Sequence, residues 1–144
     1  MKALVVDDES LARERLIDLL ADIESIEVVG EAADGREAID AVQRLLPDLV
    51  LMDIRMPCMD GLEAARHLGA LQDPPAIVFC TAYDEHALAA FDANAVDYLL
   101  KPIRAERLRA AIEFEFNLPY PDCTRMDLVQ CAMDSFSQRL QITL

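Results

Sequence analysis

Short apolar runs recur along the chain, and four of them stop at a polar residue. The runs are Leu4–Val6, ending at Asp7 and Asp8; Leu49–Met52, ending at Asp53; Ile77–Cys80, ending at Thr81; and Tyr98–Leu100, ending at Lys101. Runs that are apolar at every position are typical of strands buried on both faces of a parallel sheet. Ligands bind beyond the carboxyl ends of such strands, so these polar side chains are predicted to meet in one crevice.

Segments with helical spacing of apolar residues separate these runs. The predicted elements are strand Leu4–Val6, a helix around Ala12–Ile23, strand Glu27–Val29, a helix around Ala38–Leu46, strand Leu49–Met52, helix Gly61–Leu71, strand Ile77–Cys80, helix Asp84–Asn94, strand Tyr98–Leu100 and a helix from Arg104 to about Phe116. Strict alternation of five strands and five helices predicts an α/β fold, a doubly wound (βα)5 flavodoxin-like domain with sheet order 2-1-3-4-5. In that order the first and third strands are neighbours.

The last part of the chain departs from this alternation. Pro119 and Pro121 follow the fifth predicted helix, and one helical stripe comes after them: Val129, Ala132, Met133, Phe136 and Leu140. We therefore expect a domain at residues 1–116 and a tail at residues 117–144. The tail is interpreted either as an amphipathic helix that docks on the domain or on a second subunit, or as an artefact of truncation or out-of-frame read-through.

Composition and charge exclude several classes of function. The formal net charge of -14 opposes binding to nucleic-acid phosphates, which needs a clustered basic surface. No stretch approaches the roughly 20 apolar residues of a membrane span, and the first residues show no signal-peptide pattern, so a cytoplasmic protein is expected. The 4 cysteines have no metal-ligand spacing and are expected to be reduced thiols.

Three carboxylates in one crevice need a compensating charge. Two unit charges about 4 Å apart repel by roughly 4 kcal/mol at an effective dielectric constant near 20. A proton, the Lys101 ammonium or a divalent cation could neutralise Asp7, Asp8 and Asp53. A small hard ion that prefers oxygen ligands fits an all-carboxylate site, which favours Mg²⁺.

These motifs together resemble the receiver domain of bacterial response regulators. The resemblance rests on Val5–Glu9, Leu51–Gly61, Thr81-Ala82 and Tyr98–Pro102, and it covers residues 1 to about 112. The segments Ser10–Leu16 and Phe91–Leu99 resemble, more narrowly, regulators with a LytTR-type DNA-binding output. Such regulators continue into a DNA-binding domain, so that output is expected to be missing from these 144 residues.

The resemblance implies a phosphoacceptor site. Asp53 would take a phosphoryl group from a phosphohistidine on a sensor histidine kinase. Asp8, Asp53 and the main-chain carbonyl of Arg55 would bind Mg²⁺, and Asp7 would hold a metal-bound water. Arg55 and Tyr83 would tune the lifetime of the phosphoryl group.

The resemblance also implies a switch. Lys101 would pair with the phosphoryl group, with a cis bond before Pro102. The hydroxyl of Thr81 would donate to a phosphoryl oxygen, and Tyr98 would turn from an exposed to a buried position. Dimerisation or partner docking would use the face made by the fourth helix, the fifth strand and the fifth helix, where we expect Tyr98, Asp97 and Arg104.

Other interpretations of the same residues remain open. Each motif alone has a structural explanation, because Asp also caps helices and Thr is common at strand ends. A pseudo-receiver would keep the docking face without the chemistry. A phosphatase with an aspartyl-phosphate intermediate would use similar residues, but it would place the nucleophile and the second Asp together as DxD after the first strand.

Overall fold

The computed structural model describes residues 1–82, residue 95 and residues 97–116. Its strands are β1 (Lys2–Val6), β2 (Glu27–Ala32), β3 (Leu49–Met52), β4 (Ala76–Thr81) and β5 (Asp97–Leu100). Its helices are α1 (Ser10–Ala21), α2 (Gly35–Leu45), α3 (Gly61–Gly69) and α4 (Ala105–Phe116). The α4 helix is the fifth predicted helix. The fourth predicted helix, the Tyr83 position and the tail lie outside the described residues.

All five strands lie in one parallel sheet, in the order β2-β1-β3-β4-β5. The predicted fold class and strand order are therefore confirmed. The predicted bounds were too short for β2, which extends to Ala32, and too long for α3, which ends at Gly69. The strand runs β3 and β4 begin and end within one residue of the prediction.

Alternate residues of the strands enter two separate apolar layers. One layer contains Leu4, Val6, Val50, Met52, Phe79 and Tyr98 together with residues of α2 and α3. The other contains Ala3, Val5, Leu51, Val78, Cys80 and Leu99 together with residues of α1 and α4. Successive side chains of a strand point to opposite faces, so covering both faces with helices requires every position to be apolar.

The cysteines in the described residues are free thiols, as predicted. Cys58 is exposed in the segment between β3 and α3, and Cys80 is buried in β4. Burial raises the pKa of the Cys80 thiol well above its usual range. Cys123 and Cys131 lie outside the described residues. None of the helices that the structure describes has both the length and the apolar character needed to cross a membrane.

Candidate functional site

Hydrogen bonds between neighbouring strands align the residues that follow β1 and β3. Val6 pairs with Met52, so the next residue of each strand lies at the same end of the sheet. The Asp53 N–H donates to the Val6 carbonyl at 2.9 Å, and the Asp7 N–H donates to the Ala32 carbonyl at 3.1 Å. The strand pairing therefore places Asp7 and Asp53 side by side.

Three carboxylates meet at this point. Carboxylate oxygens of Asp7, Asp8 and Asp53 all lie within 4.8 Å of one another. Asp7 and Asp53 are buried or nearly so, with side chains 1% and 12% exposed, whereas Asp8 is exposed. The sequence-predicted cluster is thus assembled by the fold, with one of its members open to solvent.

Lys101 joins the cluster from the end of β5. Its Nζ donates to Asp7 Oδ2 at 2.7 Å and to Asp53 Oδ2 at 3.1 Å. Its main-chain N–H donates to the Thr81 carbonyl at 2.8 Å, and its peptide bond to Pro102 is cis, as predicted. Burial lowers the pKa of the ammonium, but the hydrogen bond to Asp7 and the charges of Asp53 and Asp7 together raise it. Lys101 is therefore held as a cation.

One ammonium does not balance three carboxylates. The pKa of Asp8 is raised by desolvation, then by the charge of Asp7 and a hydrogen bond with it, with a further contribution from the charge of Asp53. A raised pKa means that the surroundings disfavour the ionised form of Asp8. This set of hard oxygen donors with excess negative charge fits a divalent cation such as Mg²⁺.

Replacing Asp8 by asparagine is expected to raise the free energy of unfolding in buffer free of divalent cations. The gain should be below about 1 kcal/mol, because Asp8 is exposed and solvent screens its repulsion with Asp7 and Asp53. Urea denaturation with a chelator present measures it. Asp18→Asn, at an exposed position of α1, is the matched control and should leave the stability unchanged. A loss of stability specific to Asp8→Asn would contradict the repulsion.

The segment after Asp53 folds tightly back on that residue. The Ile54 N–H donates to Asp53 Oδ1 at 2.7 Å, and the Gly61 N–H donates to the Ile54 carbonyl at 2.7 Å. A Cβ at Gly61 would lie 2.2 Å from the Asp53 carbonyl oxygen, so a side chain does not fit there. Cys58 takes a left-handed conformation with φ of 68°. Arg55, expected to supply a carbonyl ligand, is exposed in the same segment.

Thr81 and Tyr98, the two residues of the expected switch, are both buried. Thr81 is fully buried at the end of β4, and its carbonyl accepts the Lys101 N–H bond. Tyr98 is also fully buried, in the apolar layer that contains Phe79. The expected change of Tyr98 from an exposed to a buried position stays a prediction, and its position in the structure is the buried one.

Asp97 is not part of an exposed docking surface, contrary to the sequence-based expectation. It is fully buried, and its carboxylate accepts two bonds from Arg107 of α4, at 2.7 Å from Nη2 and 3.1 Å from Nη1. Its Oδ1 also accepts the Tyr98 N–H at 2.8 Å. Asp97 therefore attaches α4 to β5. Arg104 is exposed, as expected.

Sequence reasoning did not identify Arg107, and it also missed a second arginine, Arg13. Its Nη1 donates to the Asp7 carbonyl at 2.6 Å, and its Nε donates to Glu31 Oε1 at 3.1 Å. In the sequence Arg13 is one of several charged residues of α1, a pattern usual for a solvent-facing side. Its position one helical turn after the Asp pair is the one signal that could have identified it.

Comparison with known proteins settles the family. A family model described as the response regulator receiver domain matches residues 3–113. The chain belongs to this family. The match runs from β1 into α4 and includes all the residues of the carboxylate cluster and Lys101. The chain therefore contains the receiver domain of a two-component response regulator, a signalling domain.

Curated relatives agree with the narrower resemblance to LytTR-type regulators. The positive alginate biosynthesis regulatory protein of Pseudomonas aeruginosa is 49% identical over 114 residues, 78% of this chain and 46% of that protein. The sensory transduction protein LytT of Bacillus cereus is 45% identical over 108 residues, 75% of this chain and 44% of that protein. The chain spans less than half the length of these relatives.

Solved structures show the same fold. A LuxR-family two-component response regulator from Aurantimonas sp. SI85-9A1 has a TM-score of 0.76 at 30% identity, covering 93% of this chain and 96% of that one. The response regulatory domain of protein mrkE from Klebsiella pneumoniae has a TM-score of 0.70 at 30% identity, covering 96% of this chain and 99% of that one. These neighbours confirm the doubly wound receiver architecture.

Proposed function

We propose that residues 1–116 form a phosphoacceptor domain in which Asp53 takes a phosphoryl group from a sensor histidine kinase. The observation that carries this proposal is the ammonium of Lys101, bound to both Asp7 and Asp53 inside a carboxylate cluster. Phosphoryl transfer depends mainly on positioning and on neutralising charge, and this cluster supplies a fixed carboxylate beside a fixed cation. The kinase would meet the chain in the cytoplasm.

The transfer makes one bond and breaks one bond. A carboxylate oxygen of Asp53 attacks the phosphorus atom of a phosphohistidine, and the new O–P bond forms as the P–N bond breaks. The imidazole leaves with the electron pair of the P–N bond and takes a proton from solvent. The Ile54 N–H holds Asp53 Oδ1, and Lys101 can pair with the oxygens of the arriving phosphoryl group.

The residues present fit a bound Mg²⁺. We assign Asp8, Asp53 and the main-chain carbonyl of Arg55 as its ligands, and Asp7 as the residue that holds a metal-bound water. The ion would neutralise the carboxylates and the incoming phosphoryl oxygens. Asp7 accepts bonds from the Glu9 N–H at Oδ1 and from Lys101 at Oδ2, so its carboxylate is fixed beside the other two.

The output of the domain is assigned to the face made by the predicted helix at 84–94, β5 and α4. The Thr81 hydroxyl would donate to a phosphoryl oxygen, and the bond from the Lys101 N–H to the Thr81 carbonyl couples β4 to β5. A change at Thr81 would reach this face, which we assign to homodimerisation. In the full-length regulator it would control a LytTR-type DNA-binding domain outside these 144 residues.

A pseudo-receiver that signals without phosphorylation is the alternative, and a phosphatase is less well supported. Along the chain, the Asp7-Asp8 pair follows β1 and Asp53 follows β3. This order disfavours the DxD arrangement of aspartyl-phosphate phosphatases. The complete set of carboxylates with Lys101 disfavours a pseudo-receiver, since a module that docks without chemistry does not need to maintain a repulsive cluster.

Intact mass spectrometry after incubation with Mg²⁺ and acetyl phosphate or phosphoramidate tests the proposal. The wild-type chain should gain one phosphoryl group, and Asp53→Asn should gain none. Asp73→Asn, which removes the same charge at an exposed position, should be phosphorylated like the wild type. No gain in the wild type would favour the pseudo-receiver, and rapid turnover of a phosphomonoester would favour the phosphatase.

A further inference from the structure

Arg13 connects three elements next to the carboxylate cluster. It lies in the first turn of α1, where its N–H bonds to the Glu9 carbonyl. One guanidinium group donates from Nη1 to the Asp7 carbonyl at the end of β1 and from Nε to Glu31 in β2. The side chain is only 19% exposed, so solvent competes weakly for these bonds.

With the bond from Arg13 to its carbonyl, each polar group of Asp7 is hydrogen-bonded. The Asp7 N–H is held by Ala32, and its side chain is held by Glu9 and Lys101. Arg13 holds the remaining polar group, the carbonyl. A peptide group is planar, so the plane that contains the Asp7 carbonyl also contains the N and Cα atoms of Asp8. Fixing the carbonyl therefore fixes the Asp8 Cα atom, from which the Asp8 side chain extends.

Asp8 depends on this constraint more than its neighbours do. Asp7 is buried and Asp53 nearly so, and both accept bonds from Lys101, whereas Asp8 is exposed and its carboxylate lies within 4.8 Å of both like charges. Without a fixed backbone, the Asp8 carboxylate would relieve that repulsion by moving away into solvent. The site would then lose one of its two proposed carboxylate ligands.

We infer that Arg13 is a positioning residue, which holds the Asp7–Asp8 peptide so that the Asp8 carboxylate stays within the divalent-cation site. The inference rests on the proposed function, because it requires that the cluster binds Mg²⁺. Arginine suits the role because its planar fork can donate in two fixed directions, to Asp7 and to Glu31, from one rigid group. A lysine ammonium lacks this fixed geometry.

Charge and positioning predict opposite effects when Arg13 is removed. Arg13→Met deletes a positive charge beside the site, and by charge alone the variant should bind Mg²⁺ more tightly than the wild type. Loss of positioning should weaken binding. Residues that orient metal ligands typically contribute about tenfold to affinity, and we expect a loss of that size.

The test is isothermal titration of Mg²⁺ into the unphosphorylated 144-residue chain, comparing wild type, Arg13→Met and Arg15→Met. Arg15→Met makes the same change in charge at an exposed position of the same helix and should leave the affinity nearly unchanged. The rate of phosphorylation by acetyl phosphate should fall in Arg13→Met at low Mg²⁺ and recover towards the wild-type rate at saturating Mg²⁺. A general loss of structure would not be corrected in this way.

Arg13→Lys decides the question if Arg13→Met does not fold. It keeps the charge and loses the rigid fork, and it should bind Mg²⁺ severalfold more weakly than the wild type. Wild-type or tighter affinity in the folded variant would overturn the inference while leaving the proposed function intact. Absence of Mg²⁺ binding and of Asp53 phosphorylation in the wild type would instead overturn the proposed function.

Discussion

Replacing Arg107 by alanine is expected to lower the free energy of unfolding by about 3–5 kcal/mol, a large part of the stability of a typical domain. The loss arises from Asp97, the partner of Arg107 that remains in the variant. Asp97 is fully buried, and both of its carboxylate oxygens accept bonds from the Arg107 guanidinium. Without Arg107 the buried carboxylate loses both of these bonds and this cation, at a cost in free energy. Urea denaturation at neutral pH measures the loss.

Two controls separate this effect from a general effect on α4. Arg109→Ala removes the same charge two residues further along, at an exposed position whose bond to the Asp22 carbonyl is long, at 3.4 Å. It should cost less than about 0.5 kcal/mol. The double variant Asp97→Asn with Arg107→Met leaves no buried charge and should regain part of the loss. Equal stability of Arg107→Ala and Arg109→Ala would contradict a stabilising role for the bonds between Arg107 and Asp97.

Gly61→Ala is expected to reduce the rate of Asp53 phosphorylation by about a hundredfold and to destabilise the domain by about 3 kcal/mol. The added Cβ would lie 2.2 Å from the Asp53 carbonyl oxygen and 3.0 Å from the Ile54 Cα. Both are backbone atoms, so the clash cannot be relieved by a change of rotamer, and the backbone that carries the proposed nucleophile must move. Phosphorylation kinetics with acetyl phosphate and urea denaturation measure the two effects.

Gly69→Ala is the matched control for this substitution. Gly69 is the exposed last residue of the same helix, and alanine favours helix more than glycine does. This variant should keep the wild-type phosphorylation rate and gain a little stability. If Gly61→Ala behaved in the same way, the segment after Asp53 would have to be more adaptable than its contacts indicate.

The fold could be predicted from the sequence because burial on both faces leaves a clear pattern. The uninterrupted run Leu49–Met52 has no polar alternation, and it supplies side chains to both apolar layers. The cluster of Asp7, Asp8, Asp53 and Lys101 followed from the fold, since residues after parallel strands must share one edge of the sheet. The roles of these residues in phosphoryl transfer remain proposals.

The two arginine contacts could not be predicted in the same way. Arg13 and Arg107 lie on helices among other charged residues, and helical spacing does not distinguish a charge that faces solvent from one that reaches a strand. Asp97 was interpreted as a surface residue for the same reason, because a charged residue before a strand is usually exposed. Its burial depends on a partner ten positions later, which no local pattern reveals.

The two bonds that Lys101 makes to Asp7 and Asp53 bear on the energetics of recognition at the site. An ammonium has three N–H donors, so an arriving phosphoryl oxygen can be bound without releasing either carboxylate. Ordering a free lysine side chain costs on the order of 1.5–2 kcal/mol of conformational entropy. In this domain the ordering takes place when the chain folds, and the phosphoryl group would meet a cation already in position.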